Sequence, residues 1–181
     1  MKAARPVAAQ GGVGFGVGAG LTRATFDFDG SSDLVEGRNG LMAGIWFGGN
    51  RNGLIGVMDE LDYVVQKTGL IGTDEELEVK LLEIPVLLRV KIGQRSRNGV
   101  IGYGMVGPVF DIKIDDLGLD IADEYQGLDV GIMAGAGIEV TRVGFEVRAN
   151  WGLQEIVEGD LTDTLKIKTF TVQALVKLRI N

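Results

Sequence analysis

Eight segments of this chain alternate apolar residues with glycine or polar residues at a period of two, the repeat of an extended strand whose side chains point to opposite faces in turn. The first sets Val13, Phe15, Val17, Ala19 and Leu21 against Gly12, Gly14, Gly16, Gly18 and Gly20. The second opposes Leu41, Ala43, Ile45 and Phe47 to Met42, Gly44, Trp46 and Gly48, and the third opposes Ile55, Val57, Leu61, Tyr63 and Val65 to Gly56, Met58, Glu60 and Asp62. In the fourth, Leu82, Ile84, Val86, Leu88, Val90 and Ile92 face away from Glu83, Pro85, Leu87, Arg89 and Lys91. The fifth is expected to place Ile101, Tyr103, Met105 and Val109 on its apolar side. The sixth, seventh and eighth alternate cleanly from Leu128 to Glu139, Val143 to Leu153 and Phe170 to Ile180.

The connections between these segments also alternate. Four long ones, roughly Asp27 to Glu36, Thr68 to Glu78, Ile114 to Glu124 and Gln154 to Asp163, hold 17 of the chain's 25 acids and no Lys or Arg. Three short ones, Gly49 to Asn52, Gly93 to Asn98 and Thr141 to Arg142, hold Arg51, Arg95, Arg97 and Arg142. Outer-membrane barrels sort their connections this way, with short periplasmic turns and longer outer loops. Arg-Asn-Gly recurs at Arg38-Asn39-Gly40, Arg51-Asn52-Gly53 and Arg97-Asn98-Gly99, and Asn-Gly is a strong hairpin-turn signal. The expected architecture is therefore all-β, an eight-stranded antiparallel up-and-down transmembrane β-barrel.

Composition narrows the alternatives. No run of 18 uncharged apolar residues exists, which excludes a spanning helix, whereas a barrel strand needs only about 9–11 residues. A net charge of −7 with no basic stripe argues against nucleic acid. Residues 1–11 read as a signal-peptide remnant or disordered start, and residues 12–181 as a single barrel domain. Glycine, 29 of 181 residues, decides which face points inward. On a water-facing surface these glycines would only weaken strands, but inside an eight-stranded barrel they make room in a lumen just wide enough for side chains. The apolar face then meets lipid.

That orientation puts Glu60, Asp62, Glu83, Asp129, Glu139 and Glu146 in the lumen with Arg89, Lys91, Arg148, Lys177 and Arg179. Six acids against five bases is close to neutral, as a desolvated network requires. Arg23, Lys67, Lys80, Lys113, Lys166 and Lys168 lie near the loop ends with the parity of the lipid-facing side. They are expected to ring the outer rim at head-group height, where they would meet lipopolysaccharide phosphates, snorkel, or pair with the acidic loops. Asp59 falls on the lipid face in mid-strand, and a bulge at Met58-Asp59 would turn it inward.

Glu60-Leu61-Asp62-Tyr63, Leu81-Leu82-Glu83-Ile84-Pro85-Val86-Leu87-Leu88-Arg89, Tyr103 with Gly107-Pro108, and Asp129-Val130-Gly131 leading to Gly135-Ala136-Gly137-Ile138-Glu139 together resemble the PorT-type outer-membrane β-barrel domain. The resemblance runs from about Gly12 to Ile180 and implies an eight-stranded barrel in the outer membrane of a diderm bacterium. The chain departs from it by ending Ile180-Asn181, where such barrels usually end on an aromatic residue.

Chemistry finds little support. The chain has no His and no Cys, and Ser31, Ser32 and Ser96 all lie in loops or turns, so no catalytic, cofactor or metal site is expected. The reading is a monomeric, non-enzymatic outer-membrane protein with a plugged polar lumen and a structural, adhesion or accessory surface role. Its expected partners are membrane lipid, lipopolysaccharide above all, and the outer-membrane assembly machinery. A soluble barrel binding an apolar ligand and a narrow pore are the alternatives.

Overall fold

The computed structural model describes residues 14–28, 35–49, 53–70, 76–92, 100–117, 128–153 and 167–180, with the side chains of 25–28, 35–37, 68, 70, 76–77, 115–117 and 167–168 excepted. They form eight strands: β1 (Gly14–Phe28), β2 (Val35–Gly48), β3 (Ile55–Leu70), β4 (Glu76–Ile92), β5 (Val100–Leu117), β6 (Leu128–Val140), β7 (Val143–Gly152) and β8 (Ile167–Arg179). Each pairs antiparallel with the next, and β1 pairs with β8 from Gly16↔Arg179 to Phe28↔Ile167, closing the barrel. Closure gives every strand a neighbour on both sides.

The apolar face points outward. Leu41, Ile45, Phe47 and Val147 are 63%, 58%, 59% and 58% exposed, a belt that water would not tolerate and lipid satisfies. The soluble barrel, whose apolar side would line the lumen, is thereby excluded. Two buried clusters lie inside: Trp46, Met58, Leu87, Tyr103, Met105, Val109 and Met133 form one, and Met42, Val64 and Leu175 with Leu81 form the other.

Strand β5 reverses the expected parity. Tyr103, Met105 and Val109 are buried in the lumen, while Val106, Phe110, Ile112 and Ile114 face outward. Both faces of β5 are apolar or glycine around these positions, so alternation alone does not choose between them. The ladders choose: Glu83↔Asp111 and Pro85↔Val109 align β5 with inward residues of β4, and Asp111↔Asp129 aligns it with β6. Asp111 and Lys113 consequently join the inner face.

Two other expectations change. The ladder of β3 keeps one register from Asp59↔Val86 to Asp62↔Glu83, with Met58 buried and Asp59 exposed, so no bulge turns Asp59 inward and it stays on the outer face. A register shift falls instead between Arg38 and Leu41 in β2. Arg38-Asn39-Gly40 therefore marks an irregularity inside a strand rather than a turn; the other two Arg-Asn-Gly copies lie wholly or mostly outside the described residues. The strands also run further than expected, β3, β4 and β5 reaching 16, 17 and 18 residues, because paired backbone continues past the rim into the segments read as loops.

Glycine at position 137 is required by close approach. A Cβ there would lie 2.6 Å from the Tyr103 hydroxyl and 2.7 Å from the Phe145 carbonyl oxygen. Gly137→Ala should lower stability by about 1–3 kcal/mol, the usual cost of overpacking. Gly104→Ala, whose added carbon would meet its nearest neighbour at 3.8 Å, should stay within about 0.5 kcal/mol of the parent. Urea unfolding midpoints in detergent micelles test the pair, and equal losses in both variants would contradict this packing.

Candidate functional site

The centre of the lumen is an ion network that ties opposite walls together. Arg148, on β7, is wholly buried and sets Nη2 2.5 Å from Glu60 Oε2 on β3 and 2.9 Å from Glu146 Oε2 on its own strand. In the strand order β3 and β7 are four apart, diametrically opposed in an eight-stranded barrel. Lys177 Nζ, on β8, lies 2.6 Å from Glu60 Oε1 and 3.0 Å from Glu146 Oε2. Tyr103 donates its hydroxyl to Glu146 Oε1 at 2.6 Å. Buried charge of this kind stands only when each ion has partners at hydrogen-bond distance, and alternate small residues beside the network leave room for it.

Towards the short-turn end a second group forms around Glu139. Arg89 Nη2 lies 2.8 Å from Glu139 Oε2, and Arg179 Nη2 lies 2.8 Å from Glu139 Oε1. The Arg89 guanidinium sits 3.7 Å above the Tyr103 ring, and that of Arg179 lies 5.8 Å from the Trp46 ring. Lys91 is opposite Tyr103 in the ladder and shares its inner face.

Towards the loop end, four acids face one another across neighbouring strands. Asp62↔Glu83, Glu83↔Asp111 and Asp111↔Asp129 are direct ladder pairs. Amides supply much of the hydrogen bonding here: Gln173 Nε2 donates to Glu83 at 2.9 and 3.0 Å, and Asn150 Nδ2 donates to Asp111 Oδ2 at 3.2 Å. Arg148 Nη1 approaches Asp62 Oδ2 at 3.7 Å, and Lys113 occupies the next inward position after Asp111.

The structure thus brings Glu60, Asp62, Glu83, Arg89, Lys91, Asp129, Glu139, Glu146, Arg148, Lys177 and Arg179 to the inner face, and adds Tyr103, Asp111 and Lys113 to them. Tyr103 and Asp111 were hidden by the parity of β5. Asn150 and Gln173 carry no charge, and nothing in the alternation singles them out as partners of acids.

Among the described residues the rim bases sit on one side of the barrel. Arg23, Lys67 and Lys80 lie on the outer face, as their ladder partners do, but Lys113 pairs with Leu81, which packs against the inner cluster. Lys113 is therefore a lumen residue, moved there by the register of β5. Lys166 and the side chain of Lys168 lie outside the described residues. Arg38 joins the outer group because the shift between Arg38 and Leu41 carries it to that face, directly opposite Lys67. Four bases on β1–β4 form one patch, with Glu78 3.4 Å from Lys67 and 4.0 Å from Lys80.

A closed antiparallel barrel with a lipid-facing belt and a charged interior defines an outer-membrane barrel. The chain belongs to the family of the outer membrane protein beta-barrel domain, which matches residues 1–177, and its place is the bacterial outer membrane. Comparison with curated proteins found no match. Among solved structures, Neisserial surface protein A is 16% identical, with 91% of this chain and 96% of that chain covered and a TM-score of 0.53. Ail, the attachment invasion locus protein of Yersinia pestis, solved with the heparin analogue sucrose octasulfate, is 12% identical, with 93% and 99% covered and a TM-score of 0.53. The outer membrane enzyme PagL is 10% identical, with 89% and 98% covered and a TM-score of 0.48. Likeness at these identities is likeness of fold. The presence of an enzyme among them corrects the expectation that such a barrel is non-enzymatic: that status does not follow from the architecture, and no activity passes to this chain from the likeness.

Removing one ion of the central network leaves its partners buried and uncompensated. Arg148→Met should destabilise by about 3–5 kcal/mol. Glu83→Gln should cost far less or stabilise, because like charges opposite one another in a ladder are unfavourable. Unfolding midpoints of the two variants measure the contrast, and a larger loss in Glu83→Gln would reverse the assignment of the two layers.

Proposed function

We propose that the chain is a monomeric outer-membrane scaffold with a plugged lumen, serving a structural, adhesion or accessory role at the cell surface rather than solute passage. The observation that carries this reading is Arg148, fully buried and bridging Glu60 and Glu146 across the barrel. A solute crossing the lumen would have to break these contacts, and an eight-stranded barrel has no width to spare around them. The acid-rich connections Asp27 to Glu36, Thr68 to Glu78, Ile114 to Glu124 and Gln154 to Asp163 are then the surface offered to the outside. The residues shared with PorT-type barrels support a place in that narrower group, and the outer-membrane assembly machinery is the folding partner such a barrel needs.

Arg23, Arg38, Lys67 and Lys80 seat the barrel in lipopolysaccharide on this reading. They lie at the loop end of the apolar belt, on neighbouring strands, where each base near a phosphate-rich surface contributes roughly 1 kcal/mol and salt screens the attraction. Exposed pairing with acids such as Glu78 is worth only about 0–1 kcal/mol, so phosphate competes with it.

Two measurements test these assignments. Parent protein in planar bilayers should show no stable open conductance, and a steady channel from the unmodified chain would overturn the plugged lumen. Changing Arg23, Arg38, Lys67 and Lys80 together to Gln should reduce co-purified lipopolysaccharide, whereas Lys113→Gln, on the inner face, should not. Equal lipid content in all three proteins would remove the basic patch from the proposal.

A further inference from the structure

The short-turn end of the lumen opens through a small recess of about 20 Å³, walled by Arg89, Arg142, Lys177 and Arg179 and backed by Trp46 and Tyr103. In an outer-membrane barrel this end faces the periplasm. Four bases line the recess against two acids, Glu139 and Glu146, and both acids are already shared. Glu139 lies between Arg89 and Arg179, while Glu146 is held by Arg148 and Lys177. In the sequence, the short connections 49–54, 93–99 and 141–142 contain Arg51, Arg95, Arg97 and Arg142 and no Asp or Glu.

The recess is built rather than accidental. Tyr103 lies under the Arg89 guanidinium at 3.7 Å and fixes its plane. Arg179 donates its backbone N–H to the Arg142 carbonyl at 2.8 Å, which ties the β6–β7 turn to β8. Gly144 keeps the space open, since a Cβ there would lie 3.5 Å from the Tyr103 hydroxyl and 3.6 Å from Lys177 Cβ. Planar guanidinium groups match the paired oxygens of a carboxylate or phosphate, and low-dielectric walls strengthen the attraction.

We propose that this recess is a periplasm-facing binding site for a small oxyanion, phosphate or carboxylate, with Arg142 and Arg179 as its principal donors. It is separate from the basic patch at the opposite end of the barrel.

The folded protein in zwitterionic detergent is titrated calorimetrically with sodium phosphate and, separately, with sodium acetate, each against sodium chloride at equal ionic strength. Saturable binding of at least one oxyanion beyond the chloride control is expected, and the two salts show which oxyanion the recess prefers. Arg142 is exposed on a turn, so Arg142→Gln should fold and should weaken binding roughly ten- to a hundredfold, the loss of one charge-assisted hydrogen bond. Arg179→Gln gives a second reading on the same site. Lys67→Gln, on the distant outer rim, should bind as the parent does. Chloride matching both oxyanions, unchanged binding in Arg142→Gln and Arg179→Gln, or a loss in Lys67→Gln as large as theirs would overturn the site.

Discussion

Hydrocarbon offers no partner to a backbone amide, so everything in this protein depends on the ladder between the first strand and the last. Without β1 and β8 paired from Gly16↔Arg179 to Phe28↔Ile167, two edges would lie bare in lipid, each unpaired group costing several kcal/mol. Closure then dictates the rest. A sheet of eight strands closed on itself has one face outside and one inside, and side-chain parity assigns every residue to one of them. Phe15, Val17 and Leu21 go to lipid, and the glycines between them leave space for Trp46 and Lys177 within.

The interior that results is polar because it is narrow. Apolar side chains fill two pockets of it, around Met58 and Met133 and around Val64, and the remaining space is spanned by long charged side chains that meet at hydrogen-bond distance. Their arrangement is graded along the axis: arginines gather around Glu139 at the turn end, Arg148 and Lys177 bind Glu60 and Glu146 in the middle, and Asp62, Glu83, Asp111 and Asp129 line up at the loop end. Each level has its own balance, so substitutions of like chemistry at different heights have different consequences.

Most of the architecture was legible because period-two alternation reports two things at once, the strand and its inward face. It worked where one face was large and apolar and the other was glycine, polar or charged, as in β1 and β7. It failed in β5, where Tyr103, Met105, Val106 and Val109 make both faces apolar and only the ladders with β4 and β6 set the parity. The same error hid Asp111 and misplaced Lys113. Arg38 was missed for a different reason: the shift between Arg38 and Leu41 changes which face follows, and an irregularity of that kind leaves no mark in a hydrophobic pattern.

Strands β3, β4 and β5 continue past the length a bilayer needs, with Glu76, Glu78, Asp115 and Asp116 on the extensions. Withdrawal of these hairpins from the membrane would drag carboxylates through hydrocarbon, while entry is required only once, during assembly. The acids thus act as barbs on an inserted shaft. How long the barrel stays in place is governed by the height of that barrier, a matter of rate rather than of equilibrium.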